Sequence, residues 1–201
     1  MTKPFVLGLT GSIGMGKSTT ANMFADAGIP IWDADATVHK LYSGDTPAVR
    51  QIAEMLPAAV ENQTVNRDAL KAAIAKDKTT LPKLEMIVQP LIHESRITFI
   101  EQAAQQGADI VVIDHPLLLE SRTSQYCDAV LVVTVDAAEQ RRRVLDRGTM
   151  DEATLDIILA KQMPDAEKRK RADFIVETTT LDAAESQVHT IIAQIRNRAN
   201  A

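Results

Sequence analysis

The feature that most constrains this chain is a glycine-rich turn between an apolar run, residues 5–9, and a helical pattern that begins at Lys17. The turn matches G-x-x-x-x-G-K-S/T, in which glycines let backbone N–H groups curve around an anion and the helix N-terminus adds a positive dipole. An accidental glycine-rich turn is the alternative, but a strand before and a helix after are the context that this motif requires. The pattern therefore predicts a site for the phosphates of a nucleoside triphosphate, formed by Gly11, Ser12, Ile13, Gly14, Met15, Gly16, Lys17, Ser18 and Thr19.

Three side chains carry the chemistry expected at such a site. Lys17 can reach the outer phosphates, and the Ser18 hydroxyl can bind Mg²⁺. The apolar run 110–113 ends at Asp114, a pattern suited to a carboxylate that orients Mg²⁺ and its water ligands. Because many buried strands end in Asp, the run indicates a magnesium site only in combination with the glycine-rich turn. Ser18 and Asp114 are therefore the predicted metal ligands.

Composition restricts the possible partners. Hydrophobic residues make up 45% of the chain and charged residues 24%, which is ordinary for a globular protein. The formal net charge of -5 argues against general binding to nucleic acid or to acidic membranes. No apolar run has membrane-spanning length, and the N-terminus lacks a signal-peptide pattern. With Cys127 as the single cysteine, these features predict a cytoplasmic protein that has no disulfide, no nucleic-acid partner and no membrane partner.

Five apolar runs alternate with helical patterns, which predicts an α/β fold with a parallel five-stranded sheet. The runs cover residues 5–9, 29–32, 110–113, 129–135 and 174–176. From residue 43 to about 101 helical periodicity dominates, broken by Pro47, Pro57, Pro82 and Pro90, which predicts a helical insertion. Two helices, residues 137–147 and 151–163, are expected between the fourth and fifth runs. Ligands of such folds bind at the carboxyl ends of the strands, and the glycine-rich turn, Asp33, Asp35 and Asp114 are placed there.

Nucleotide binding alone is compatible with a switch, a motor or a kinase. The N-K-x-D and D-x-x-G strings of GTPase switches are absent from the sequence, and a motor is normally larger. A small-molecule kinase needs a base beside the acceptor hydroxyl, and Asp33 is the candidate because it ends a strand expected to neighbour the nucleotide strand. The alternative is that Asp33 or Asp35 only caps the helix expected from about Ala36, since Asp is a favoured N-cap residue.

Two basic runs are candidates for contacts with phosphate. The first run consists of Arg141, Arg142, Arg143 and Arg147. In the first, Arg143 can share a helix face with Arg147, and Arg142 can pair with Asp146. A solvated basic face is the alternative and the commoner role of such a cluster. For the second run, residues 168–171, we expect solvent exposure unless the segment folds over the nucleotide.

Several strings together resemble one family, the dephospho-coenzyme A kinases. In chain order they are residues 8–18, Asp33-Ala34-Asp35, Asn66-Arg67-Asp68-Ala69-Leu70, Pro90-Leu91-Ile92, Asp114-His115-Pro116-Leu117-Leu118-Leu119-Glu120, Gln140 with Arg143, Gln162 and Ala172-Asp173. The resemblance covers about residues 5–176, and the D-x-D and D-x-P-L-L-x-E strings are more specific than the glycine-rich turn. Residues 177–179 depart from the family, which commonly has an Asn and a glycine-rich turn there.

The resemblance implies a three-layer P-loop kinase fold that transfers the γ-phosphate of ATP to the ribose 3′-hydroxyl of dephospho-coenzyme A. It implies a nucleotide-binding core over residues 1–45, 102–138 and 169–201, a helical acceptor domain over 46–101 and a helical lid over 139–168. Such a lid closes to exclude water, which competes as the phosphoryl acceptor.

The resemblance also implies roles for single residues. Asp33 becomes the base, Lys17 and Arg143 stabilise the charge on the transferring group, and Ser18 binds the metal. Contacts with the acceptor are implied for Asp35, Pro116 and Leu117. Two other functions stay open: a small-molecule kinase of the nucleoside or shikimate type, and a nucleotide-binding regulator that hydrolyses slowly.

Overall fold

The computed structural model describes residues 3–121 and 123–199. The chain divides into two compact units, Met1–Trp32 with Glu101–Ala201 and Asp33–Ile100. In chain order the strands and helices are β1 (Phe5–Thr10), α1 (Lys17–Asp26), β2 (Ile31–Asp33), α2 (Ala34–Leu41), α3 (Pro47–Met55), β3 (Val60–Glu61), β4 (Thr64–Val65), α4 (Arg67–Lys76), α5 (Thr80–Gln105), β5 (Ile110–Asp114), β6 (Ala129–Thr134), α6 (Ala137–Asp146), α7 (Glu152–Lys161), α8 (Asp165–Lys170), β7 (Phe174–Glu177) and α9 (Leu181–Ala199).

The first unit is built on a five-stranded sheet with the strand order β2-β5-β1-β6-β7. β1 pairs in parallel with β5 and β6, and β6 pairs in parallel with β7. β5 and β6 are buried along their whole length, because helices cover both faces of a parallel sheet. Their sequences are therefore apolar at almost every position. The predicted α/β fold with a mostly parallel five-stranded sheet is confirmed.

The main core of this unit lies between the sheet, α1 and α9. Leu7 and Leu131 supply the sheet side, while Phe24 of α1 and Val188 and Ile195 of α9 supply the helix side. All five are almost completely buried. The core is mostly aliphatic, as the scarcity of aromatic residues predicts. Its position fixes β1 and α1, and with them the two ends of the glycine-rich turn.

The second unit, Asp33–Ile100, has a separate hydrophobic core shared by its helices. Val49 and Ile52 of α3, Leu70 of α4, and Leu84 and Val88 of α5 are buried in it. The unit also contains the antiparallel pair β3–β4, which the sequence did not predict. Each strand has only two residues, so neither could show the alternation that identifies a strand. The unit begins earlier than the predicted insertion, because it includes α2.

The helix α5 also differs from the prediction. The prolines at positions 82 and 90 predicted breaks, yet the helix runs without interruption from Thr80 to Gln105. Pro82 lies in the first turn, where a backbone N–H has no partner within the helix. Pro90 lies in the interior and removes one helical hydrogen bond. The burial of Leu84 and Val88 offsets this loss and keeps the helix continuous.

The segment between β6 and β7 forms three helices where two were expected. α7 ends at Lys161 rather than Met163, and the unpredicted α8 follows Pro164. The sequence of α8, DAEKRK, has no apolar stripe that could have indicated a helix. A mostly exposed turn, residues 147–151, joins α6 to α7, and Gly148 adopts a φ of 64° in it. Among the residues described, no helix is both long and apolar enough to cross a membrane.

Candidate active site

The glycine-rich loop joins β1 to α1 at the carboxyl edge of the sheet. Gly16, at the N-cap of α1, has a φ of 93°, and no described side chain caps this helix. Ser18 and Thr19 in the first turn are exposed. An uncapped first turn presents backbone N–H groups and the positive end of the helix dipole to an anion. The predicted phosphate-binding loop therefore has the local structure that phosphate binding requires.

Gly14 is required by both conformation and space. Its φ is 79°, which side chains rarely adopt. A Cβ at this position would lie 2.5 Å from Val144 Cγ2 and 3.1 Å from the Gln140 carbonyl oxygen, both on α6. The loop therefore packs closely against the helix that carries the arginine cluster.

Lys17 forms an ion pair with Asp114 across two elements. The Lys17 Nζ atom lies 2.6 Å from Asp114 Oδ1, and the two side chains are 17% and 4% exposed. The pairing of Leu9 with Asp114 in the β1–β5 register places this carboxylate beside the start of the loop. The structure thus brings together the lysine and the acid that the sequence selected separately.

Arg143 approaches the loop through Thr178. Its Nη1 and Nη2 atoms donate to Thr178 Oγ1 at 3.0 Å and to the Thr178 carbonyl oxygen at 2.7 Å. The Thr178 hydroxyl in turn donates to the Met15 carbonyl oxygen at 2.8 Å. Arg143 Nε donates to Glu139 at 2.7 Å, and the arginine side chain is 23% exposed. The guanidinium is therefore fixed on three sides next to the loop.

The neighbouring arginines behave differently. Arg142 is 62% exposed and pairs with Asp146, as its spacing predicted, and also with Glu139. Arg141 pairs with Asp156 on α7. The Arg142 and Arg143 guanidinium groups lower the pKa of Glu139 to about 2, so this carboxylate stays ionised. Within the cluster, Arg142 thus belongs to a solvated face, whereas Arg143 belongs to the loop.

A pocket of about 240 Å³ adjoins the loop within the first unit. Gly14 and Gly16 line one side, Arg143 and Arg147 a second, and residues 178–181 a third. Sequence reasoning did not assign residues 178–181 to the site. Their position just after β7, at the carboxyl end of a sheet strand, was the signal that could have identified them.

The expectation that residues 168–171 are solvated is wrong for Lys168. Its side chain is completely buried, and Nζ lies 3.0 Å from Glu120 Oε1 and 3.4 Å from the Pro116 carbonyl oxygen. Glu120 Oε1 also accepts from the Met163 N–H at 2.9 Å. Burial alone would raise the pKa of Glu120, but the Met163 N–H and the Lys168 ammonium lower it. Lys168 is the buried residue of α8, and a uniformly basic run does not reveal which of its members is buried.

The remaining predicted residues lie in two places. Asp33 and Asp35 belong to the second unit and are exposed. Asp33 is the N-cap of α2, and its Oδ1 accepts from the Ala36 N–H at 2.9 Å. Pro116 and Leu117 follow β5, and the Pro116 carbonyl oxygen accepts from the Thr10 hydroxyl at 3.1 Å. The capping role that the sequence left open for Asp33 is therefore present.

The loop after the central strand of the parallel sheet leads into a helix, and the lysine of this loop pairs with a carboxylate on the adjacent strand. This arrangement defines a P-loop nucleotide-binding protein of the kinase fold. The model of the dephospho-CoA kinase family matches residues 5–183. The chain is 51% identical to the dephospho-CoA kinase of Cereibacter sphaeroides over 99% of this chain and 100% of the relative. It is 49% identical to that of Jannaschia sp. over 95% and 97% of the two chains. The crystal structure of TT1252 from Thermus thermophilus is similar with a TM-score of 0.79 and 28% identity, over 96% of this chain and 98% of that one. The chain therefore belongs to the dephospho-CoA kinase family.

The buried Lys168–Glu120 pair gives a prediction about stability. Lys168→Met should lower the free energy of unfolding by about 3 kcal/mol, because it removes one partner of a buried ion pair. Chemical denaturation measures this change. Lys170→Met is the matched control, since this lysine is 71% exposed and pairs with Glu167, and it should change stability by less than about 1 kcal/mol.

A double variant separates the pair from the packing around it. Lys168→Met with Glu120→Leu should recover much of the lost stability, because no uncompensated charge remains buried. If Lys168→Met and Lys170→Met have the same small effect, the buried pair does not stabilise the fold.

Proposed function

We propose that this chain transfers the γ-phosphoryl group of ATP to the ribose 3′-hydroxyl of dephospho-coenzyme A and releases ADP and coenzyme A. Membership of the dephospho-CoA kinase family supports this acceptor. The observation that supports the chemistry most directly is the attachment of Arg143 to the phosphate-binding loop through Thr178, on a loop that also carries Lys17. Cations held in place stabilise charge on a transferring phosphoryl group without having to reorganise.

In this proposal Asp33 accepts the proton of the acceptor hydroxyl. The hydroxyl oxygen bonds to the γ-phosphorus while the bond from that phosphorus to the leaving oxygen of ADP breaks. Capping and catalysis are compatible, because the Ala36 N–H bonds to Oδ1 and a carboxylate has two oxygens. The cap also limits the orientations that the carboxylate can adopt. Lys17 and Arg143 stabilise the negative charge that moves to the leaving oxygen.

Ser18 and Asp114 are the residues proposed to hold Mg²⁺. A hydroxyl and a carboxylate are oxygen ligands of the type that Mg²⁺ binds, and it usually takes its other ligands from phosphates and water. No group of three or more His, Cys, Asp or Glu side chains in the described ranges could hold a metal ion. When bound, Mg²⁺ neutralises charge on the β- and γ-phosphates.

The acceptor is proposed to contact residues 46–101 together with Asp35, Pro116 and Leu117. Leu117 is 41% exposed, and its N–H donates to His115 Nδ1 at 3.0 Å, which orders the chain after β5.

Residues 139–168 are proposed to close over the nucleotide as a lid that excludes water. A cytoplasmic location is part of the same proposal, and the presence of Cys127 as the single cysteine of the chain supports it.

The first test is ADP release with ATP and Mg²⁺ across a panel of acceptors. Dephospho-coenzyme A should stimulate release, whereas adenosine, other nucleosides and shikimate should not. Stimulation by another acceptor alone would reassign the acceptor site and leave the phosphate site in place. An absence of stimulation by every acceptor would favour a nucleotide-binding regulator.

The variant Asp33→Asn tests the proposed base. It should reduce turnover by at least about 100-fold, because general-base catalysis typically contributes 10²- to 10⁴-fold. ATP affinity should change little, since Asp33 is not assigned to the nucleotide. Asn can still accept the Ala36 N–H, so α2 keeps its cap. Turnover near the wild-type rate would show that Asp33 is not the base.

The two adjacent arginines provide a matched pair for the charge-stabilising role. Arg143→Ala should raise the transition-state free energy by about 2–4 kcal/mol, as loss of one preorganised donor does. Arg142→Ala should have little effect on kcat/KM, because Arg142 is solvated and bonds only to Glu139 and Asp146 among the contacts described. Steady-state kinetics measure both. Equal, small effects would mean that the cluster is only a solvated face.

A further inference from the structure

Ile13 is held from two directions by glutamine side chains. Its N–H donates to Gln162 Oε1 at 3.2 Å, and its carbonyl oxygen accepts from Gln140 Nε2 at 2.7 Å. These backbone groups belong to two successive peptide groups, Ser12–Ile13 and Ile13–Gly14. Both lie within the phosphate-binding loop. Two glutamines from a distant part of the sequence thus fix consecutive peptide planes of this loop.

The direction of these planes matters for anion binding. The peptide group is planar and trans, so a carbonyl that points one way sends the following N–H the opposite way. Gln140 holds the Ile13 carbonyl and thereby sets the direction of the Gly14 N–H. Gly14 lines the pocket beside the loop and has a φ of 79°. Because glycine adopts positive and negative φ almost equally well, its own sterics do not fix this peptide, and an external bond is needed.

Both glutamines belong to the segment that carries Arg143. Gln140 lies three residues before it on α6 and is 5% exposed. Gln162 is the C-cap residue that follows α7, and the next N–H, that of Met163, donates to Glu120. Burying a side-chain amide destabilises the fold unless its polar atoms form hydrogen bonds. The Gln140 amide donates its hydrogen bond to the loop rather than to its own helix. The same segment therefore places both the arginine and the loop backbone.

We propose that Gln140 and Gln162 are positioning residues of the phosphate-binding loop. Gln140 holds the Ile13 carbonyl and so turns the Gly14 N–H toward the phosphate chain of the nucleotide, whereas Gln162 binds the Ile13 N–H and so keeps the preceding peptide group from rotating. This inference rests on the proposed function of the loop. The two glutamines touch the loop and act through it. Their loss should weaken phosphate binding and leave acceptor binding unchanged.

The test uses variants of matched length that lack the amide, Gln140→Met and Gln162→Met. Calorimetry measures the affinity of the full-length protein for ADP and for inorganic tripolyphosphate, which has the phosphate chain but no nucleoside. Each variant should bind both ligands about threefold to tenfold more weakly, the factor expected from one net hydrogen bond. In the kinase assay KM for ATP should rise, while KM for dephospho-coenzyme A stays constant. If the variant at the buried Gln140 does not fold, the half-buried Gln162 carries the test.

Arg196 offers a control at the opposite edge of the sheet from the loop. Its Nε atom donates to Asp109 Oδ2 at 2.6 Å, and Asp109 lies just before β5. Arg196→Met should lower the melting temperature slightly without changing tripolyphosphate affinity. This control separates a general loss of stability from a loss of order in the loop.

Two outcomes overturn the inference. The first is variants at Gln140 and Gln162 that melt earlier but bind tripolyphosphate as the wild type does. The second is an Arg196→Met variant that weakens tripolyphosphate binding by the same factor. A wild-type protein that binds neither ADP nor tripolyphosphate would instead overturn the proposed nucleotide site, and the inference with it.

Discussion

A loop that binds phosphate has to present several of its N–H groups to the ligand, so the carbonyl groups that point the other way have to be held by the rest of the protein. In this chain three carbonyls of the glycine-rich loop accept bonds from side chains outside it. Gln140 bonds to Ile13, Thr178 to Met15 and Thr20 to Gly16. The donors come from α6, from the residue after β7 and from α1. The shape of the loop therefore depends on elements that are far apart in the sequence, and the core between α1, α9 and the sheet keeps those elements in place.

Side chains also attach the segment from α6 to α8 to the sheet. Arg143 and Thr178 connect its first helix to the end of β7, whereas Lys168 connects its last helix to Glu120 after β5. The first connection places a cation beside the loop, and the second is a buried ion pair. A buried ion pair of this kind adds little to the free energy of unfolding, but removing one of its partners lowers that free energy strongly. Because separating its partners leaves an uncompensated charge, the pair opposes displacement of α8, the last helix of the segment.

The sheet could be predicted from the sequence because helices cover both of its faces and its strands are apolar at nearly every position. The loop could be predicted because only a few residue types permit its backbone. Two features could not. Burial of Lys168 is invisible in a run of four basic residues, and the part played by Thr178 depends on β7 ending beside the loop, which is a property of the sheet order. Continuity of α5 through Pro90 was missed for a related reason, because local propensity predicted a break that tertiary packing overrides.

The exposed turn at residues 147–151 joins two parts of the segment that are attached to the rest of the protein separately. On its amino-terminal side α6 is held to the loop by Gln140 and Arg143, and on its carboxyl-terminal side Gln162 and Lys168 hold the chain independently. Each half of the segment therefore brings its own attachment to the nucleotide loop. In engineering terms, the polypeptide could be opened or lengthened after Gly148 without removing either attachment, whereas Arg147 just before it lines the pocket and has to be kept.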